Sequence, residues 1–594
     1  MAATNCETVP ERWLVVAEHR RGHGTGHLRR CAALCRETSK SPDWLLPEET
    51  SREFYDRSEV FNLTPELKNL PVSWVDTPRG EYDRIIVDRR EMSRSELERL
   101  PSRGIIVAID AGGDLRRYAS YLVDTLTPPP DEPAANIADH RYLPFPRTVR
   151  EDWPERCGTV LVAFGGEGNT GKTRSIADTL AGTGCTVDAV ISGVSERDAA
   201  EEVRRGAGDK VQYIERSPAL SERLARYDLV ITHYGMLAWE ALWARVPVIL
   251  VNPSAYHDAL ALQEGFVTVS RAEVLRETIG NFLNIRDRCR AIRPDQSRSI
   301  AELVRNLEIP RRLNAPSGGV RYQPVVARFP DRTYFRNEKD GLVYLQNFRP
   351  LPITYDHGYF NEDYLKQYGR TYLQDFYAIA RTGETRIDRI LSLKEKRPGG
   401  KRQEENTDPV LLDIGCAYGP FLHAAAGRGC RVRGLEINEE AVRYVREDLG
   451  FDAIQGDLNR LSLQEFRESF DIITMWYVIE HVVDLDKLLH TCRSLLKPGG
   501  ILAFSTPHGR GVSARTDPKN FLWNSPLDHF TVWDRGSAEK VLEDKGFRVR
   551  SFRITGHHPE RFPRGNVLLL RPLLNVVSRI LRLGDTFEVY AERL

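Results

Sequence analysis

At 594 residues the chain is too long for one core, and its length suits about three or four domains. Lys+Arg and Asp+Glu are both 84, so the net charge is zero and the basic footprint of a nucleic-acid binder is missing. The apolar fraction of 41% suits globular domains, and no run approaches the ~18 apolar residues of a membrane span.

The opening MAATNCETVPERW lacks the apolar core of a signal peptide, and the nine cysteines are scattered without paired spacing. Both features lead to the expectation of reduced thiols and a cytoplasmic protein. Trp13 to Ala17 reads as a strand. It runs into the glycine-histidine turn Arg21 to His27 and a helix from Leu28 to about Arg36. A strand, a flexible turn and a helix N-terminus can together hold an anion. Further strands are expected at Arg84 to Val87, ending at Asp88, and at Gly104 to Ile109, ending at Asp110. The proline-rich stretch Pro128 to Arg150 reads as a linker.

A second α/β unit begins at Gly158. The strand Thr159 to Phe164 leads into Gly166-Glu-Gly-Asn-Thr-Gly171-Lys172-Thr173, which fits the phosphate-loop pattern. A phosphate-loop ATPase should also show an apolar strand ending in a magnesium-binding Asp. Val187 to Ile191 ends instead in Ser-Gly, and Leu229 to Thr232 ends in His233. The segment YDLVITHYGMLAWEALWARVPVILVNP (Tyr227 to Pro253) places His233 and Gly235 at a strand end and Glu240 on the helix that follows. It resembles the C-terminal half of GT-B nucleotide-sugar enzymes. GHGTGHLRRC resembles the corresponding segment of the UDP-sugar hydrolase of the pseudaminic acid pathway. This resemblance implies a module of two subdomains, 1–150 and 151–310, with His27 catalytic. Gly26, His233 and Gly235 would hold the nucleotide sugar, and Glu240 would meet its ribose. A phosphate-loop ATPase and an inactive α/β scaffold remain the alternatives.

Residues 311–350 contain APSGG and NEKDGLVYL, which resemble the knuckles of a zinc ribbon. The ligand positions have become Ala315, Gly318, Asn337 and Asp340. Alanine and glycine offer zinc no donor, so a degenerate ribbon without metal is expected. The aromatics from Tyr355 to Phe376 resemble a cap over a cofactor, although most fit ordinary packing equally well.

The segment Val410 to Leu422, VLLDIGCAYGPFL, reads as a buried strand, a glycine-marked turn and a helix start, the nucleotide-binding crossing of a doubly wound sheet. The next strand ends at Glu436, 23 residues after Asp413, where such folds keep a carboxylate for ribose hydroxyls. Gly456-Asp457 ends a third strand, and Phe470 to Trp476 leads into Glu480-His481. After Ile501 to Ser505, a long loop from Gly509 to Leu527 ends at Asp528-His529-Phe530.

This series resembles the class I S-adenosylmethionine (SAM)-dependent methyltransferases over 351–594. The resemblance implies SAM as cofactor, with Asp413, Gly415, Gly419, Glu436 and Asp457 around it. His481 and His529 are the candidate bases for methyl transfer to a hydroxyl. A dinucleotide dehydrogenase is the alternative, but Ala417 stands where its fingerprint needs the second glycine. The fold expected is therefore α/β, a two-domain GT-B-like module followed by a Rossmann-like class I methyltransferase domain. The expected substrate is a nucleotide sugar, glycan or glycolipid, with neither nucleic acid nor a structural metal. Val567 to Leu583, apolar with interspersed arginines, reads as a helix over the substrate site or as a surface helix touching lipid.

Overall fold

The computed structural model describes residues 11–19, 26–38, 41–46, 57–128, 132–164, 170–191, 210–215, 220–271, 274–309, 322–349, 364–365, 369–395, 408–457, 466–565 and 567–594. The turn 21–25, the loop 165–169, Ala315, Gly318 and the aromatics 355–360 lie outside them. The chain forms two compact units, Met1–Ile309 and Pro310–Leu594.

The first unit contains two wholly parallel sheets. One has the spatial order Ser73–Val75, Asp43–Leu45, Trp13–Ala17, Tyr82–Asp88, Ser102–Ile109, Tyr121–Asp124, Ile137–Ala138. The other runs Val211–Glu215, Thr186–Ile191, Thr159–Val162, Leu229–Thr232, Val248–Leu250, Val267–Thr268. In each sheet the first strand in sequence lies inside, and the order reverses beside it. Such a switch point opens a crevice at the strands' carboxyl ends. The proline-rich stretch is more than a linker, because Ile137–Ala138 pairs with Tyr121–Asp124 as the last strand of its sheet.

In the second unit, Val325–Phe329, Arg332–Arg336 and Val343–Asn347 form an antiparallel meander. It is extended by Thr531–Val532. The Asn337-to-Leu342 turn is closed by its own side chains. Asn337 Nδ2 donates to Asp340 Oδ2 at 2.9 Å, Lys339 N to Asn337 Oδ1 at 2.9 Å, and Leu342 N to Asp340 Oδ1 at 2.8 Å.

The main sheet follows the order Asp452–Gln455, Arg431–Glu436, Val410–Ile414, Phe470–Trp476, Leu496–Pro507, Thr586–Arg593, Phe547–Thr555. Only Thr586–Arg593 runs against the others. The central strands are near-continuous apolar runs because helices cover both faces. Helix Leu485–Leu495 shows how sequence sets this packing. Asp484 caps it by accepting from Lys487 N at 3.1 Å, and Leu485, Leu488, Leu489, Cys492 and Leu495 bury one stripe. The long helix Phe376–Glu395 approaches closely at Gly383, where a Cβ would sit 3.1 Å from Phe421 and Ala424 side-chain atoms. The expected loop 509–527 holds two short helices, Val512–Thr516 and Pro518–Trp523.

Candidate active site

The cofactor crossing lies at the switch point between Val410–Ile414 and Phe470–Trp476. Gly415 has φ +70°, and a Cβ there would lie 2.5 Å from Val478 Cγ2. Glycine is therefore required both by conformation and by space. Gly419 is left-handed as well and precedes helix Pro420–Ala426. Ala417, at the position the dehydrogenase fingerprint gives to glycine, also takes a positive φ of 49°.

That bend points the Ala417 amide at the end of the neighbouring strand. Glu436 Oε2 accepts from Ala417 N at 2.9 Å, and Oε1 accepts from Ile437 N and Asn438 N at 2.8 and 3.1 Å. Burial pushes the Glu436 carboxyl up, against the pull of these three amides. These amides take three of the carboxylate's four or so lone-pair sites, so Oε2 can still accept from a ribose hydroxyl. Asp413 is buried and accepts from Thr474 Oγ1 at 2.6 Å, and burial raises its carboxyl to about 7. Gly456 follows the next strand, its amide bonded to Glu436 O at 2.9 Å, and Asp457 comes directly after it. Tyr372 packs 6.0 Å from Tyr418, ring to ring.

A cluster of titratable side chains at the same end of the sheet is built from two segments distant in sequence. Glu480 and His481 lie in the turn after Phe470–Trp476. Asp528 and His529 are carried there by the Phe530 amide, which donates to Glu480 O at 2.7 Å. His481 Nδ1 is 2.8 Å from Asp528 Oδ2, and the two imidazoles meet edge to face with centroids 4.6 Å apart. Burial opposes a charged His481, but Asp528 and Glu480 raise it above the ordinary histidine value. Burial and the neighbouring His481 push His529 down to about 4, so it stays neutral. Glu480 is buried, its carboxyl raised to about 7 by burial.

Both predicted histidines are thus brought together, with their environments pushing their proton affinities apart. Asp528 as partner of His481 was not anticipated, because nothing local in the sequence signals a pairing across the sheet edge. Tyr477 was missed too. It sits at φ +59°, an unusual conformation for a bulky residue that concentrates at functional sites. Glu480, His481 and His529 each offer a ligand atom within 4.8 Å of one another. This trio could hold a divalent ion, and the sequence reading named none.

The first unit brings other predicted residues to strand ends. His27 Nδ1 lies 2.5 Å from Asp88 Oδ1. Arg30 grips Asp88 with Nε and Nη2 at 2.7 and 2.6 Å and reaches Thr125 Oγ1 at 2.6 Å. Burial works against the charged form of Asp88, yet Arg30 and His27 hold its carboxyl at about 2. Gly26 opens the helix Gly26–Glu37 beside Met236. Gly235 precedes helix Met236–Trp243, and His233 Nδ1 lies 2.9 Å from the Tyr234 carbonyl. Glu240 is 1% exposed, and its Oε1 has no hydrogen-bond partner among the described residues. Arg29 Nη2 approaches that oxygen to 3.5 Å, and burial raises the carboxyl. Lys172 turns back to donate to Val251 O at 2.5 Å and lies 4.7 Å over the Phe164 ring.

The family described as "Methyltransferase domain" matches residues 380–551. Ubiquinone biosynthesis O-methyltransferase of Histophilus somni is 30% identical over 142 residues, 22% of this chain and 55% of that protein. The enzyme of the same name from Actinobacillus pleuropneumoniae serotype 5b is 32% identical over 104 residues, 16% of this chain and 44% of that protein. The chain thus spans about half the length of the curated relatives it matches. Among solved structures, a SAM-dependent methyltransferase from Archaeoglobus fulgidus aligns at 17% identity and TM-score 0.26, over 36% of this chain and 94% of that one. The turn at Gly415–Gly419, the carboxylate of Glu436 and the family match agree, and SAM fits the donors present. Glu436 would hold its ribose, and Asp413 would lie on the side of its ammonium group. The C-terminal region of this chain is a class I SAM-dependent methyltransferase domain.

Proposed function

We propose that this protein methylates a hydroxyl group of a sugar or glycolipid intermediate, of the kind used in surface glycan synthesis. The observation that carries the reading is the His481–Asp528 pair at the acceptor end of the crevice. The cofactor supplies an electrophilic methyl group. A hydroxyl acceptor must lose its proton as that methyl arrives, and a histidine raised by a carboxylate is suited to take it. Asp528 fixes the His481 tautomer, leaving Nε2 to face the acceptor, while neutral His529 can accept or donate a hydrogen bond to it. Two relatives that share this region are named O-methyltransferases, which favours oxygen as the accepting atom.

The sugar class comes from the first unit, read here as a GT-B-like nucleotide-sugar module. Support comes from its two parallel sheets of like order, the His27–Asp88 pair, and the buried Glu240 beside Arg29. In this reading His27 serves a glycosyl-transfer or hydrolysis step, Glu240 meets a ribose, and Lys172 is peripheral. A module that only presents a glycan, and a phosphate-loop ATPase, are the competing readings. The experiment is transfer from methyl-labelled SAM to lipid, nucleotide-sugar and protein fractions of a cell extract. Alkali-stable label in a glycan or glycolipid fraction is expected. Alkali-labile methyl ester, or label confined to protein, would refute the proposal.

A further inference from the structure

The connection between the last two strands carries an inverted helix. In Arg571–Ile580, Leu573, Val576 and Ile580 recur on one helical face and are all exposed, whereas polar Ser578 is buried against His557 at 2.7 Å. The preceding turn, Leu568–Leu570, is turned outward as well, with Leu569 91% exposed. A helix of a water-facing domain directs such a stripe to the core. The expectation that this segment packs over the substrate site is not met, because its apolar face points away from the domain.

The charge around the patch is one-sided. From Arg561 to Leu583 there are five arginines (561, 564, 571, 579 and 582) and no acidic residue. The flanking acids are committed elsewhere. Asp585 is buried and bound by Arg561 at 2.8 Å, and Glu560 pairs with His558 at 3.0 Å. The position matters too. Phe547–Thr555 and Thr586–Arg593 are antiparallel neighbours, and Thr586–Arg593 is antiparallel to Leu496–Pro507. Thr555 therefore ends at the same sheet edge as Pro507, Trp476 and Glu436. The leucine-arginine segment projects from the edge that carries the cofactor turn and the His481–Asp528 pair. It is fastened there by Ser513 N on Asp585 Oδ1 at 2.9 Å and by His508 Nδ1 near Gly584 O at 2.9 Å.

We propose that residues 567–582 form an interfacial docking element by which the methyltransferase unit settles on an anionic lipid bilayer. Leu568, Leu569, Leu573, Val576 and Ile580 enter the headgroup boundary, and the arginines contact lipid phosphates. Exposed leucines alone would not choose an occupant. Arg561 is held by Asp585, and the other four arginines (564, 571, 579 and 582), which have no acidic partner among the described residues, select an anionic surface over a neutral protein face. Docking would turn the reactive edge toward the membrane, within reach of an acceptor held by a lipid tail. The docking claim itself does not depend on the acceptor class.

The test uses the full chain and sedimentation with vesicles of phosphatidylcholine, with or without phosphatidylglycerol. The wild type should partition to the anionic vesicles and lose binding as salt rises. Leu569→Ser with Ile580→Ser should lower partitioning by about tenfold or more. Arg579→Gln with Arg582→Gln should lower it about fivefold per arginine, at low salt only. Thermal melting and SAM affinity of both double variants should match the wild type, which keeps a folding defect from imitating a binding defect. Equal binding to neutral vesicles, or no binding, would overturn the proposal. A concentration-dependent dimer dissolved by Leu569→Ser with Ile580→Ser, without vesicle binding, would assign the patch to a second copy instead.

Discussion

His481 and Asp528 are joined through Nδ1 and Oδ2 at 2.8 Å, and this contact ties together two segments that meet at the end of the methyltransferase sheet. It raises the proton affinity of one histidine, while its neighbour His529 is pushed down to about 4. Two imidazoles in contact thus have different roles available: His481, raised by its carboxylate neighbours, is the stronger base, and His529 stays neutral.

Glu436 should govern SAM affinity. Its side chain already accepts three backbone amides, so it is held in place before any ligand arrives. Glu436→Ala should weaken SAM by ~1.5–3 kcal/mol, the loss of charge-assisted hydrogen bonds to the ribose. Titration calorimetry checks this, and unchanged affinity would remove Glu436 from the site.

Gly415 tests the backbone of the turn. An alanine there must adopt a left-handed conformation and place its Cβ 2.5 Å from Val478 Cγ2. The expected cost is ~1–3 kcal/mol in stability, with weaker SAM binding. Adding Val478→Ala should return the steric part and leave the conformational part. A Gly415→Ala protein that melts like the wild type would show that residue 415 is not left-handed.

Asp413 makes stability depend on pH. Its folded value of about 7 lies above that of an unfolded aspartate, so the folded state binds the extra proton. The stabilisation is complete below about pH 4 and is lost as pH rises through about 7. Thermal melts of the wild type should therefore fall across that window. Asp413→Asn, which still accepts from Thr474, should flatten the trend. Identical slopes in the two proteins would place the dependence elsewhere.

For the first unit, nucleotide titrations separate the competing readings. Uridine or cytidine nucleotides should bind better than ATP and need little magnesium. Glu240→Ala should weaken them by ~1–3 kcal/mol because the ribose hydroxyls lose their buried acceptor. Lys172→Ala should change little, since the amine already binds Val251 O. Tight magnesium-dependent ATP binding, lost in Lys172→Ala and kept in Glu240→Ala, would move the unit to the ATPase class.

The cofactor end was legible because its signals are local. A glycine turn follows a buried strand, and a carboxylate ends the next one, so the turn at Gly415–Gly419 and the placement of Glu436 beside it could be expected from spacing. Long-range pairing was not legible. Thr531–Val532 completes a sheet begun at Val325–Phe329, and Asp528 crosses to His481 by way of the Phe530 amide. The linker reading of 128–150 failed for the same reason, since two residues suffice to add a strand at a sheet edge. Composition did mark Val567 to Leu583 as an apolar helix with interspersed arginines. It could not say which way the apolar side chains turn, because the deciding contact is the burial of Ser578 against His557.

The central claim is that His481, held by Asp528, takes the acceptor proton. The pH dependence of kcat/KM for methyl transfer to the labelled fraction tests it most directly, in the wild type, His481→Ala and Asp528→Asn, each with and without a chelator. The rate should rise with pH as His481 loses its proton. The acid limb should move to lower pH in Asp528→Asn, because the carboxylate that raises His481 is gone. His481→Ala should lose about a hundredfold or more, and the chelator should have no effect. A limb that stays in place in Asp528→Asn, or a rate that the chelator abolishes, would contradict the account and give Glu480, His481 and His529 to a metal instead.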